Sequence, residues 1–272
     1  MSRITRKSLL MFAFAVLISI PSLFVFYWMF SISLKSDVDS AAYPPALFNF
    51  TPTFAAYERV LSTTPFLTYV ANSLIVCIGT VIAGLVVGLP AAYGIVRWRM
   101  QSLSIAIVAT RMIPAMSFIV PWFLMFRTLN LNDTYIGLIM AQLTVNLPMV
   151  IWLMLGFFLK IPKELHDSAK IDGCSEWSCF WRIMVPLTRQ GIAASSILSF
   201  IYAWNNFLFP VILAGKNTKT LPAAVFASMS FESIDWAGLA STATMITLPV
   251  LILFLFTQKY IVAGLTSGSV KG

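Results

Sequence analysis

The sequence predicts an all-α integral membrane protein: six transmembrane helices and one long helical loop on the cytoplasmic side. Three observations predict it. Of the 272 residues, 59% are hydrophobic and only 10% are charged, whereas an average soluble domain carries about 25% charged residues. Apolar runs of the roughly 20 residues needed to cross a bilayer recur along the chain, too many for a signal peptide and one soluble domain. Lys and Arg are also divided unevenly between alternate loops, which sets an orientation. The net charge of +8 does not point to nucleic acid, because the cations lie between the apolar runs rather than on one face. The partner that this composition implies first is membrane lipid.

The first span is expected at about Leu9 to Ile32, behind the cationic start Arg3, Arg6 and Lys7. It is too long and too aromatic for a cleavable signal, and no small-residue cleavage site follows it. An arm from Ser33 to Thr64, with Pro44, Pro45 and Pro52, reads as extended. The second span runs from about Pro65 to Val96, the third from about Leu103 to Phe126 and the fourth from about Tyr135 to Leu159. A polar interval from Ile161 to Arg189 follows. The fifth span is read at about Gly191 to Leu213 and the sixth at about Gly238 to Val262, with a second sizeable outer loop from Gly215 to Ala237 between them. Residues 1–272 are read as one membrane domain, with no soluble domain, low-complexity tract or inverted repeat.

Of the eighteen Lys and Arg residues, twelve fall on one side: Arg3, Arg6, Lys7, Arg97, Arg99, Lys160, Lys163, Lys170, Arg182, Arg189, Lys259 and Lys271. Five fall on the other: Lys35, Arg59, Arg127, Lys216 and Lys219. The positive-inside rule therefore puts both termini and the 161–189 loop in the cytoplasm.

That loop reads as two short helices broken by a glycine. Pro162 suits a first turn, where its missing N–H costs nothing, and Glu164 suits the positive helix end. Gly173 can adopt the left-handed conformation that ends a helix, and Ser175 can cap the second helix with Glu176 in its first turn. Trp177, Phe180, Trp181 and Met184 then fall at i, i+3, i+4 and i+7, one apolar stripe that Pro186 is expected to stop. Such a hairpin either lies on the headgroups or docks onto another protein.

Arg111 is the one formally charged residue expected well inside a span, and it has two readings: a snorkelling or carbonyl-paired residue, or part of a solute path. Gln142 and Asn146 share one face of span 4, and Asn205 and Asn206 follow Trp204 in span 5. These amides serve either to bond helices together or to line a path for a hydroxyl-rich neutral solute. All ten acidic residues fall in loops, so the intramembrane carboxylate usual in ion-coupled transporters is missing. No GxxxxGK[ST] phosphate loop occurs, so the chain does not hydrolyse ATP. Cys77, Cys174 and Cys179 lack metal-ligand spacing and predict neither a disulfide nor a metal site. His166 reads as a solvated helix residue.

Asp167-Ser168-Ala169, Gly173 four residues later, and Ile183-Met184-Val185-Pro186 together resemble the EAA loop of permease subunits of ATP-binding-cassette importers. In that family Glu-Ala-Ala is followed by the same glycine and by Ile-x-Leu-Pro; here Asp replaces Glu, Ser replaces the first Ala and Val replaces Leu. From about Asn72 onward the chain is similar to the carbohydrate branch, in particular its smaller, MalG-like subunit. Asn72-Ser73, Ala91-Ala92-Tyr93, Asn132-Asp133-Thr134, Ile161-Pro162-Lys163-Glu164-Leu165, Ala203-Trp204-Asn205-Asn206 and Ile261-Val262-Ala263-Gly264-Leu265-Thr266 carry the likeness.

The resemblance implies the type I importer permease fold in a bacterial inner membrane. It implies a second homologous permease, two ATPase subunits that hold ATP and Mg, and an extracytoplasmic sugar-binding protein. This chain itself would bind no cofactor and catalyse no reaction. Asp167, Ser168, Ala169, Gly173, Trp177, Phe180, Trp181 and Pro186 would form the ATPase-docking element. The loop 215–237 would reach the binding protein, and the tail from Gly264 to Gly272 would insert between the ATPases. Sugar contacts in the family fall on the spans matching 3 and 4, which adds support for Gln142 and Asn146. The competing reading is a secondary transporter or channel that works alone.

Overall fold

The computed structural model describes residues 6–227 and 234–266, and among them every regular element is helical. The N-terminal part holds α1 (Arg6–Ser33), α2 (Asp37–Ala41), α3 (Ala55–Thr63) and α4 (Phe66–Arg97). Next come α5 (Gln101–Thr110), a 3₁₀ turn at Ala115–Phe118, α6 (Ile119–Thr128) and α7 (Tyr135–Phe158). The polar interval contributes α8 (Lys163–Ile171), α9 (Glu176–Cys179), a π turn at Phe180–Met184 and α10 (Val185–Leu187). The chain continues through α11 (Arg189–Asn205), α12 (Leu208–Leu213), α13 (Leu221–Ala227) and α14 (Trp236–Thr266). Helices suit this composition because each satisfies its own backbone N–H and C=O groups where lipid offers no partner.

The described residues divide between two compact units, one drawn from Met1–Phe66 and Ala227–Pro249, the other from Leu67–Phe226 and Val250–Gly272. In the first, α1 leads into an arm that differs from the extended segment expected. Lys35 is buried, donates to the Ala46 carbonyl at 2.5 Å, and lies 4.6 Å from the Trp28 ring centre and 5.0 Å from that of Phe50. Arg59 on α3 forks onto both oxygens of Asp37 at 2.7 and 2.8 Å and onto Asp235 at 2.9 Å. Two cations with several partners each thus fold a segment whose prolines had suggested extension.

The second unit is built on α4 and α7. Both are long and apolar enough to cross a membrane, as is the helical stretch Leu9–Ser33 of α1. Small residues let α4 and α7 meet closely: a Cβ at Gly88 would lie 2.9 Å from the Val150 side chain. Around the start of α7, Val76, Phe126, Leu138, Ala141, Phe209 and Leu213 form one apolar cluster. Towards the other end, α4 and α7 bury Leu89, Tyr93, Met154 and Phe158 with residues of the polar interval.

Two expected spans are broken rather than continuous. The third, read from Leu103 to Phe126, is α5 and α6 set at 90° across a break at residues 111–114. Pro114 disfavours helical backbone in the residue before it, and Thr110 Oγ1 donates back to the Ile107 carbonyl at 2.6 Å. The fifth, read from Gly191 to Leu213, breaks at Asn206, whose backbone is extended (φ −73, ψ 114). Its side chain then accepts from Phe209 N at 3.3 Å, restarting the chain as α12. The sixth expected span lies in α14, where Trp236–Ile252 is the apolar stretch among the described residues.

Glycines on α7 give a paired test of this packing. A Cβ at Gly137 would stand 2.3 Å from the Leu131 carbonyl oxygen, whereas one at Gly156 would meet nothing within 4 Å. Gly137→Ala is therefore expected to cost about 1–3 kcal/mol by overpacking and to lower the thermal unfolding midpoint of the detergent-solubilised protein. Gly156→Ala is expected to leave it unchanged or raise it, since alanine is the better helix former. Equal midpoints for the two variants would contradict the packing described.

Candidate functional site

The polar interval folds as the sequence suggested, with informative departures. Pro162 precedes α8, Glu164 sits in its first turn and Lys170 in its last, each matched to the helix dipole. Gly173 turns left-handed at φ +83, and Cys174 N donates to the Ala169 carbonyl at 3.0 Å, closing the helix end. The Ser175 hydroxyl accepts from Ser178 N at 3.2 Å and opens α9. Pro186 does not stop this second helix, contrary to expectation. The chain widens into the π turn and passes through Pro186 in α10, turning only at Thr188. Proline is tolerated there because the first turn of α10 does not need its N–H.

The expected apolar stripe is divided between core and surface. Phe180 and Met184 are buried, while Trp177 and Trp181 are 60% and 48% exposed. The three aromatics still form one ridge: Trp177 stacks on Phe180 at 5.4 Å between ring centres, and Trp181 meets Phe180 edge-on at 4.9 Å. Ala169, Cys179, Phe180 and Met184 share a core with Leu89, Ala92, Tyr93 and Ile95 of α4 and with α7 from Val150 to Phe158. The inner face of the interval is thus anchored in protein. Its outer face presents Asp167, Ser168, Trp177 and Trp181, together with Ile171, which is 86% exposed.

Glu176 ties this element to α4. Its Oε2 accepts from the Tyr93 hydroxyl at 3.2 Å and lies 3.0 Å from His166 Nε2. Its Oε1 meets Lys170 Nζ at 3.2 Å and Arg97 Nη2 at 3.5 Å. Partial burial works against the charge, but the bonds from His166, Lys170 and Arg97 outweigh it and hold the carboxyl at about 2. His166, expected to be solvated, is buried and forms part of this cluster. The sequence alone placed Glu176 only as a first-turn acid. Its donors come from separate segments, and no local spacing announces them.

The intramembrane polar residues fall into two groups. Gln142 and Asn146 are buried; Gln142 lies 3.4 Å from the Thr80 hydroxyl. Asn146 donates to the Ser199 carbonyl at 3.1 Å and accepts from the Ser199 hydroxyl at 2.6 Å, joining α7 to α11. Arg111, Asn205 and Asn206 instead stand at the two helix breaks. Arg111 is exposed beyond the end of α5, not inside a continuous span, with its guanidinium 5.1 Å from the Trp152 ring centre. Asn205 is exposed and donates to the Ile201 carbonyl at 2.9 Å. Pro114, and the pair Asn205-Asn206 ahead of Pro210, were the available signals for these breaks.

Residues 84–267 match the family of binding-protein-dependent transport system inner membrane components. The chain is 37% identical over 272 residues to a probable ABC transporter permease protein of Sinorhizobium fredii, covering 99% of this chain and 98% of that one. It is 35% identical over 253 residues to the trehalose transport system permease protein SugB of Mycobacterium tuberculosis, covering 90% and 91% of the two chains. Identity to the trehalose/maltose transport system permease protein MalG of Thermococcus litoralis is 31% over 274 residues, 98% of each. Among solved structures, a bacterial ABC transporter involved in the import of the acidic polysaccharide alginate aligns with a TM-score of 0.74 at 24% identity. That alignment covers 96% of this chain and 99% of the other, and it carries the fold.

The Glu176 cluster makes a prediction of its own. Glu176→Gln keeps the shape and removes the charge. Allowing for the partial exposure of the group, the loss is roughly 1 kcal/mol, or about fivefold faster amide hydrogen exchange across residues 163–187. Because the folded carboxyl sits below its ordinary value of 4.5, its stabilisation is complete above that pH and is lost as pH falls towards about 2. Unchanged exchange in the variant at neutral pH would contradict the role given to Glu176.

Proposed function

The chain belongs to the family of binding-protein-dependent transport system inner membrane components, and from that premise we propose that it passes a sugar or sugar-like solute into the cytoplasm. It is a multi-pass, non-catalytic permease subunit of an ATP-binding-cassette transporter. Family membership decides against a secondary transporter or channel working alone. The sugar class rests on relatives named for trehalose and maltose transport, and the solute itself is the finer part of the proposal.

In this reading residues 1–272 form one permease domain with six spans and cytoplasmic termini, paired with a second permease. Two ATPase subunits holding ATP and Mg dock beneath, one of them taking the 161–189 element of this chain into a cleft. The observation that carries the docking role is a solvent-facing ridge on a fixed base. Trp177, Trp181, Asp167 and Ser168 face outward, while Ala169, Phe180 and Met184 are locked into the core of α4 and α7. A ridge so anchored can pass on a push, which a hairpin floating on headgroups cannot. The expected insertion of the tail 264–272 between the ATPases lies largely outside the described residues.

On the far side, a binding protein delivers the solute to the outer loops, including 215–237, of which residues 228–233 lie outside the described residues. A related alginate transporter has been solved in complex with its pentasaccharide-bound periplasmic protein, which supports that partner class. For the solute path we keep Arg111, Asn205 and Asn206, which stand at helix breaks. Gln142 and Asn146 we assign to holding α7 in place.

Two substitutions test the docking role in cells lacking the native copy. Gly173→Pro is incompatible with the left-handed backbone, since proline fixes φ near −65°. Asp167→Lys reverses a charge that is largely exposed. Both are expected to abolish solute uptake while membrane insertion stays normal, and Gly173→Ala to lose part of it, at a backbone cost of about 1–2 kcal/mol. Normal uptake by Gly173→Pro or Asp167→Lys would sink the docking role. Affinity purification supplies the second check: a P-loop ATPase and a second permease should come down with the tagged chain.

A further inference from the structure

Outside the site just described, a dense polar cluster among the described residues lies at the outer ends of α4 and α7, and it centres on Asp133. This residue adopts φ +56, and its N–H donates to the Leu213 carbonyl at 2.9 Å. Its Oδ1 accepts from Gly215 N at 2.8 Å, Thr218 N at 3.0 Å and the Thr218 hydroxyl at 2.7 Å. Its Oδ2 accepts from Asn217 N at 3.1 Å and Asn217 Nδ2 at 2.9 Å. One carboxylate is therefore surrounded by donors from the stretch that leaves α12. Gly215 is required there, because a Cβ would lie 2.7 Å from Oδ2.

The same stretch is held a second time by α4. Asn72 Nδ2 donates to the Asn217 and Lys219 carbonyls at 3.1 and 3.0 Å, and Asn72 Oδ1 accepts from the Tyr135 hydroxyl of α7 at 2.7 Å. Leu221 N donates to the Ser73 hydroxyl at 2.8 Å. Asn72, Ser73, Thr218 and Leu221 are all buried. Burial alone would raise the Asp133 carboxyl, but the bonds from Thr218, Asn217 and Gly215 outweigh it and lower it.

The other end of α4 carries Tyr93 and Arg97, which hold Glu176 of the docking element. One helix is thus clasped at both ends, to the cytoplasmic element at one and to the stem of the outer loop at the other. We infer that Asp133 is a positioning residue that fixes the stem of the 215–237 loop on α4 and α7, so that engagement of the binding protein there is coupled to the docking element. This rests on the reading of that loop as the one that meets the binding protein. A loop that must press on another protein needs a stem that does not yield, and a charged acceptor shared by several donors supplies it.

The test uses the complete transporter, purified from its host in lipid nanodiscs. The probe is the extracytoplasmic binding protein recovered by crosslinking to the wild-type complex, with the solute it retains. ATP hydrolysis is measured against the concentration of this protein. Asp133→Asn places an amide NH₂ against donors. It is expected to leave the unstimulated rate near wild type and to raise the half-stimulating concentration about tenfold. Ser73→Ala, which removes one acceptor and should assemble normally, is expected to shift it less in the same direction, and decides the matter if Asp133→Asn fails to assemble. Wild-type concentration dependence in Asp133→Asn, or in Ser73→Ala where that variant decides, overturns this inference alone. A wild-type complex that the binding protein does not stimulate overturns the loop's assigned role as well.

Discussion

The carboxylate of Glu176 joins parts of the chain that are distant in sequence, and the functional reading depends on that junction. Tyr93 and Arg97 approach it from α4, His166 and Lys170 from α8. Without a shared acceptor these cations and polar groups would repel one another or stand unpaired beside an apolar core, which is costly. With it, the hairpin from Lys163 to Leu187 and the Arg97 end of α4 become one body. Below the cluster, Phe180 and Met184 complete a core with Tyr93 and Phe158. Electrostatics fixes the orientation of the element, and packing fixes its depth.

The same logic explains where the chain departs from regular helix. In lipid an interrupted helix leaves backbone groups without partners, so breaks survive only where side chains or neighbouring protein supply them. At the end of α11 the Asn206 side chain takes up Phe209 N. At the end of α5, Thr110 bonds back to its own turn and Arg111 lies over Trp152. Both breaks place polar groups at the ends of helix segments instead of along their sides.

Much of the fold was legible because its signals are local. Spans 2 and 4 were read at 65–96 and 135–159 and are helices at Phe66–Arg97 and Tyr135–Phe158, since hydropathy and length decide them. Gly173 and the Ser175 cap were likewise written in neighbouring residues. The broken spans were not legible, because a hydropathy window averages across Pro114 and Asn206 as if the apolar run were continuous. The burial of His166 and the partners of Glu176 and Asp133 depend on contacts across loops, which periodicity does not carry. The stripe from Trp177 to Met184 held only in part: Phe180 and Met184, four residues apart at the two ends of the π turn, face the core, while Trp177 and Trp181 are exposed. Gln142 and Asn146 had the right spacing for one face, yet that face turned out to meet protein.

On the docking proposed above, the 161–189 element and α4 move as a single body while the partner ATPases turn over. Spin labels at Trp98, just beyond α4, and at Lys163, at the start of α8, report on it directly by pulsed electron paramagnetic resonance. The labels would be placed in a complex whose free Cys77, Cys174 and Cys179 are replaced by serine. Movement as one body gives one narrow distance distribution that is the same without nucleotide and with ATP held unhydrolysed, while a label pair between Lys163 and the proposed partner permease shifts. A change in the Trp98–Lys163 distance between the two states would show that the element slides on α4 rather than moving with it, and would overturn this reading.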